Sequence, residues 1–281
     1  MDLKDYKLVW EDNFDYEGSP DPDKWNFEVG NHQWPNRELQ AYTSKPENIY
    51  VQDGKLRIRA IKERDGDKEY TSAKINTRGK SSWKYGYFEF KAKIPTGLGS
   101  WPAIWMMPDV KLPKMPDWVP LTPSGRVDFA KLTDEEKAKL PPIPEDMRWP
   151  NCGEIDIMEH VGRMENNLLF SIHCKNHNHA NKNTVPYTTR AVFEENLWED
   201  YHIYAMEWTE DYIEYFVDGK SYCRYNKADD KECQGHDSWP FDKPFYLIMN
   251  IAVGGGLGGP VTDDHLPFEM YVDYARIYQK K

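Results

Sequence analysis

Apolar and polar positions fall into short alternating runs rather than long helical stripes. Strand-like runs cover 56–61, 85–94, 103–107, 154–160, 168–173, 201–208, 212–217, 245–251 and 271–278. They are rich in β-branched and aromatic residues and are punctuated by Asp53-Gly54, Asp65-Gly66 and Asp218-Gly219, which predicts antiparallel strands joined by hairpins. Long amphipathic helical patterns are missing. The expected fold class is all-β, a sandwich of two sheets in a single domain spanning 1–281.

One stretch, about 109–149, breaks the rhythm, because Pro113, Pro116, Pro120, Pro123, Pro141, Pro142 and Pro144 leave little room for sheet pairing. Within it Thr133-Asp-Glu-Glu136 fits a capping box, and the residues that follow predict a short helix ended by Pro141. Strand-like sequence on both sides marks this segment as a loop insertion rather than a linker. It immediately precedes the run 154–160, so it is expected at the rim of whatever site that run carries.

Composition narrows the function. Of 281 residues, 47 are acidic and 36 are Lys or Arg, which argues against nucleic acid as a partner. Eleven Trp and 18 Tyr exceed the needs of a core of this size, and flat rings in polar neighbourhoods suit sugar faces. No apolar stretch reaches bilayer length and the N-terminus lacks a signal-peptide pattern, so a protein with no membrane span is expected. Cys152, Cys174, Cys223 and Cys233 lack zinc-ribbon spacing. Cys223 and Cys233 can close a short loop; the other two read as buried thiols.

The most informative run is Cys152-Gly-Glu-Ile-Asp-Ile-Met-Glu-His160. In a regular strand Glu154, Asp156 and Met158 share one face, which buries Glu159 among isoleucines on the other. One extra residue, a β-bulge near Ile157-Met158, returns Glu159 to the face of Glu154 and Asp156. Three carboxylates in a row repel one another, so metal binding or acid/base chemistry is the reason to keep them. Glycoside hydrolysis with retention needs two carboxyl groups about 5–5.5 Å apart, which glutamate side chains leaning together across the strand can approach.

Trp149-Pro-Asn-Cys-Gly-Glu-Ile-Asp-Ile-Met-Glu-His-Val-Gly162 resembles the catalytic signature of glycoside hydrolase family 16 in its laminarinase-like (endo-β-1,3-glucanase) form. Asn36-Arg-Glu-Leu-Gln-Ala-Tyr42, Ile75-Asn-Thr-Arg78, Ser100-Trp-Pro-Ala-Ile-Trp105, Phe216-Val-Asp-Gly219 and Tyr271-Val-Asp-Tyr-Ala-Arg-Ile-Tyr278 resemble other segments of that family. The resemblance implies a concanavalin-like β-jelly roll of two curved antiparallel sheets. It also implies a retaining endo-β-glycanase, with Glu154 as nucleophile, Glu159 as general acid and then base, and Asp156 between them. On this reading two neighbouring anions raise the pKa of Glu159 while Glu154 stays ionised.

The same resemblance places Trp101 and Trp105 as stacking platforms, Asn36, Glu38 and Arg78 as polar groove positions, and His173 in the cleft. Core packing and surface charge are the competing roles for these residues. A structural calcium is implied at Asn13, Gly54 and Asp273, two backbone carbonyls and a carboxylate; the chemistry itself needs no cofactor. His173, His177 and His179 lack metal-motif spacing and read as cleft rim. A glycan partner, a monomeric state and an extracellular, cell-surface or periplasmic setting complete the expectation.

The expected substrate is β-1,3- or mixed-linkage β-1,3/1,4-glucan. An endo-acting β-galactosidase on mucin-type or other galactose-containing glycans is the alternative within the class, and a non-catalytic carbohydrate-binding module the alternative outside it. Two departures bear on this choice. Val253-Gly-Gly-Gly-Leu-Gly-Gly259 lacks the bulky aromatic found after this turn in many laminarinases, and the 109–149 insertion is far longer than the usual connection.

Overall fold

The computed structural model describes residues 3–31, 34–111, 113–121, 127–128, 131–180, 187–229 and 235–281. Among these, seventeen strands form two large antiparallel sheets and one small parallel pair. The eight-stranded sheet contains β1 (Tyr6–Asp12), β4 (Ile49–Gln52), β5 (Lys55–Ala60), β8 (Gly86–Lys93), β13 (His202–Trp208), β14 (Tyr212–Val217), β15 (Lys220–Asn226) and β17 (Phe268–Lys280). The seven-stranded sheet contains β2 (Asn26–Phe27), β7 (Lys74–Asn76), β9 (Ser100–Pro108), β10 (Glu154–Glu159), β11 (Asn167–His173), β12 (Tyr187–Val192) and β16 (Phe245–Val253). Its spatial order is β12-β11-β10-β9-β16-β7-β2, which puts β10 near the middle. The pair is β3 (Gln40–Tyr42) with β6 (Tyr70–Ser72).

Period-two alternation builds the core between the sheets. From the eight-stranded sheet come Leu56, Ile58, Phe88, Phe90, Met206 and Trp208; Ile104, Met106, Ile155, Phe170, Leu247 and Met249 face them from the other. The turns follow from their residues. Asp53 and Gly54 both have positive φ (53° and 68°), as do Asp218 and Gly219 (50° and 78°), the combination of a type I′ hairpin turn.

Every strand-like run read from the sequence is a strand here. Several unread ones are short, and β7 carries only Ile75 toward the core; β15 reads Lys-Ser-Tyr-Cys-Arg-Tyr-Asn, and β1 leaves Leu8 and Val9 exposed and so lacks clean alternation. Inside the insertion, α1 (Asp134–Ala138) has the expected capping box, with Thr133 Oγ1 accepting from Glu136 N–H and the Glu136 carboxylate accepting from Thr133 N–H. The insertion buries Val119 and Leu132, and neither joins the main core. Cys152 and Cys174 are buried thiols and Cys223 is a half-buried one; Cys233 lies outside the described residues.

Candidate active site

The face of the seven-stranded sheet turned away from the core carries the three acids of β10. On β9 the odd residues Trp101, Ala103, Trp105 and Met107 point to it, while Ile104 and Met106 point inward. On β16 Asn250 and Ala252 face the same way, opposite Ala103 and Trp101. Together with β10 they line a cleft of about 350 Å3.

β10 contains the irregularity its sequence demands. Against β9, Asp156 pairs with Trp105 and Met158 with Ile104; against β11, Asp156 pairs with Ser171 and Glu159 with Leu169. One extra residue therefore sits between Asp156 and Glu159 on both sides, a β-bulge at Ile157-Met158. Ile155, Ile157 and Met158 are all fully buried in the core, and Glu154, Asp156 and Glu159 all line the cleft.

Each acid has a distinct set of partners. Trp149 donates its indole N–H to Glu154 Oε2 at 2.7 Å, and Trp101 donates its own to Glu159 Oε1 at 3.0 Å. Asp156 is 2% exposed, hydrogen-bonds Glu154, and has Oδ2 at 3.3 Å from His173 Nε2. Burial is the first cause acting on all three. It pushes Glu154 up to about 8, with the Asp156 charge adding to the rise and His173 and the Trp149 N–H opposing it. Asp156 is held well above its ordinary value by burial and by Glu159. Glu159 is raised by burial, against the Trp101 N–H and His173. Burial thus works against the ionised Glu154 expected from the sequence, while His173 and the Trp149 N–H favour it.

Of the expected groove residues, Asn36, Glu38, Trp101 and Trp105 line the cleft. His173 lies beside Asp156, behind the lining. Arg78 is not part of the lining; its guanidinium lies 5.8 Å from the Tyr246 ring, and Tyr246 pairs with Met107 at the edge of the cleft. Glu38 is held by Gln40 Nε2 at 2.7 Å, and burial raises its carboxyl against the pull of Lys74. His179 lines the cleft, whereas His177 stacks on Tyr187 at 3.9 Å.

Trp149, Lys74 and Asn250 are cleft residues that the sequence reading did not single out. Lys74 Nζ lies 4.9 Å from the Trp105 ring and 5.1 Å from Trp34, and pairs with buried Glu28 at 3.4 Å. Asn250 accepts the Trp105 indole N–H at 2.8 Å, fixing that ring's orientation. Alternation on β7 and β16 was the available signal, since Lys74 and Asn250 are polar residues between inward apolar ones. The aromatic-free turn after Val253 also has a reason. A Cβ on Gly255 would lie 2.8 Å from Asn36 O, so this turn packs directly against the Asn36–Glu38 backbone.

The expected calcium positions meet at one corner of the eight-stranded sheet, because Asp12 pairs with Ala275 and Leu56 with Val272. There Lys91 Nζ already lies 2.7 Å from Asp273 Oδ2, and Arg276 donates to the Asn13 side-chain oxygen at 2.8 Å. The corner's single expected carboxylate is thus paired with a lysine, and a calcium held there would compete with that ion pair for Asp273.

Comparison with known proteins agrees with this geometry. Residues 143–276 match the model of Glycosyl hydrolases family 16. The chain is 41% identical to the Beta-glucanase of Rhodothermus marinus over 98% of its own length and 85% of that protein's. It is 34% identical to the Keratan-sulfate endo-1,4-beta-galactosidase of Sphingobacterium multivorum, over 98% of this chain and 56% of that one. The X-ray structure of the laminarinase from Rhodothermus marinus superposes with a TM-score of 0.80 at 39% identity, covering 98% of each chain. The chain is a jelly-roll β-protein that belongs to glycosyl hydrolases family 16.

Proposed function

We propose that the protein is a retaining endo-β-1,3(4)-glucanase in which Glu154 is the nucleophile and Glu159 the acid/base. The bulge at Ile157-Met158 carries this reading, since it is what puts both glutamates on the cleft face of one strand. In the first step a Glu154 oxygen bonds to the anomeric carbon while the bond to the departing sugar oxygen breaks, and Glu159 gives that oxygen its proton. In the second, Glu159 takes a proton from water, the water oxygen bonds to the anomeric carbon, and Glu154 leaves as carboxylate.

Asp156 makes the protonation states workable. Burial and the neighbouring Glu159 charge hold its carboxyl well above the ordinary value and favour its neutral form. A neutral Asp156 removes the charge that stands second among the causes raising Glu154, so Glu154 can attack as an anion. Trp101 and Trp105 supply ring faces, and Asn36, Glu38 and His179 supply polar groups for sugar hydroxyls.

The relatives support a neutral glucan over a sulfated galactan, since the Beta-glucanase of Rhodothermus marinus is 41% identical and the keratan-sulfate galactosidase 34%. No step passes through a metal. One domain, with the insertion as its appendage, and an extracellular site of action complete the proposal; among the described residues no helix is long and apolar enough to cross a membrane. The test is Glu154→Gln on laminarin and mixed-linkage glucan: turnover is lost and binding retained. Turnover within about tenfold of the parent would refute the nucleophile assignment.

A further inference from the structure

The residue that closes the insertion, Trp149, reaches back onto the strand it precedes. Its indole N–H lies 2.7 Å from Glu154 Oε2, as the Trp101 indole N–H lies 3.0 Å from Glu159 Oε1. The intervening chain is a tight turn in which Cys152 N–H donates to Arg148 O at 2.9 Å and Gly153 N–H to Pro150 O at 3.0 Å. Gly153 makes that turn possible: its φ is +92°, and a Cβ there would lie 3.0 Å from Pro240 and 3.1 Å from Phe245. On its other side the indole is braced by imidazoles, with ring centroids 5.2 Å from His179 and 6.0 Å from His173. The ring is therefore fixed from both ends, by a backbone turn and by the 173–179 segment.

We infer that Trp149 is a positioning residue for the nucleophile: its N–H anchors one Glu154 oxygen and thereby holds the carboxylate in its attacking orientation as an anion. The inference rests on the assignment of Glu154 as nucleophile. An N–H to an ionised carboxylate is a charge-assisted hydrogen bond, stronger than a neutral one and directional, so it acts on both the charge and the rotamer. It also gives the insertion a task at its exit. Among the insertion's described residues, Trp149 is the one that lines the cleft.

The test is Trp149→Phe, which keeps a ring against His173 and His179 and deletes the donor. Loss of a group that favours the anion raises the Glu154 pKa, so the acid limb of kcat/KM moves to higher pH by roughly one unit. At pH 6 kcat falls about tenfold while KM stays within roughly twofold, because the effect lies on the nucleophile rather than on sugar contacts. An unmoved pH profile with a raised KM would overturn the inference, leaving Trp149 as a wall of the cleft. Glu154→Ala with added azide separates the two readings: an α-glycosyl azide product upholds the nucleophile whatever Trp149 does, and no rescue removes the reading on which the inference rests. If the Phe variant fails to fold, 15N-tryptophan labelling of the parent decides. An indole N–H resonance that titrates with the acid limb supports the anchor, and the absence of one overturns it.

Discussion

Trp101 donates its indole N–H to Glu159 at 3.0 Å from a position two residues before Ala103, the β9 residue that pairs with Glu159. In the proposed mechanism platform and acid are therefore one unit: the ring offered to a sugar also orients the carboxyl that protonates its leaving oxygen. Because the donor favours the ionised acid, it trims a pKa that burial has raised.

Trp101→Phe should move the alkaline limb of the pH–rate profile upward. The ring face survives, the N–H is lost, and the Glu159 proton is held to higher pH by roughly half to one unit. The pH dependence of kcat/KM on laminarin checks this; a downward shift would contradict the role given to the hydrogen bond.

Asp156 ties stability to pH. Its native pKa is raised, so between its unfolded value near 4 and its native value the folded state must keep a proton that the unfolded state has released. Stability contributed by this group is present below pH 4 and is lost as pH rises through that window. Asp156→Asn should therefore be near neutral for stability at pH 4 and more stable than the parent at pH 8, by on the order of 1–2 kcal/mol, while losing most activity. Urea unfolding at the two pH values measures the difference.

Much of this was legible in the run Glu154–Glu159, because two demands on one strand conflicted: isoleucines need the core and three acids need solvent. Only a bulge satisfies both, and the bulge is there. The capping box at Thr133 was equally readable, being a local pattern with a local cause. Trp149 was not, because its contact with Glu154 depends on a turn set by Gly153 against Pro240 and Phe245, which are distant in sequence. Lys74 was signalled only by its place between inward Ala73 and Ile75, a pattern too short in a three-residue strand to stand out along the chain. Arg78 matched by motif and lies beyond the cleft lining, at the Tyr246 end of the sheet.

Deleting Ile157 turns the run into the regular alternation Glu-Ile-Asp-Met-Glu, so Glu159 should keep the cleft face while the core loses one isoleucine. The variant should fold with stability lowered by roughly 2–5 kcal/mol and keep measurable turnover. Circular dichroism, the melting transition and laminarin hydrolysis read the outcome; loss of all turnover in a folded variant would contradict the face-setting role given to the extra residue.

Replacing 111–147 by a short Gly-Ser link should leave the core stable, because Val119 and Leu132 pack outside the main hydrophobic cluster. Trp149 is retained, so the first-order chemistry persists, and the change should appear in the distribution of released oligosaccharides. Chromatography of laminarin digests compares the two; identical profiles at an unchanged melting temperature would make the segment a bystander.

The central claim is that one bulged strand brings Glu154 and Glu159 close enough for double displacement. Proton NMR of the first anomer released from laminarin, recorded before mutarotation, tests it most directly. The account predicts that the β-anomer appears first and the α-anomer grows in later. An initial α-anomer would show single displacement by water and contradict the role assigned to Glu154.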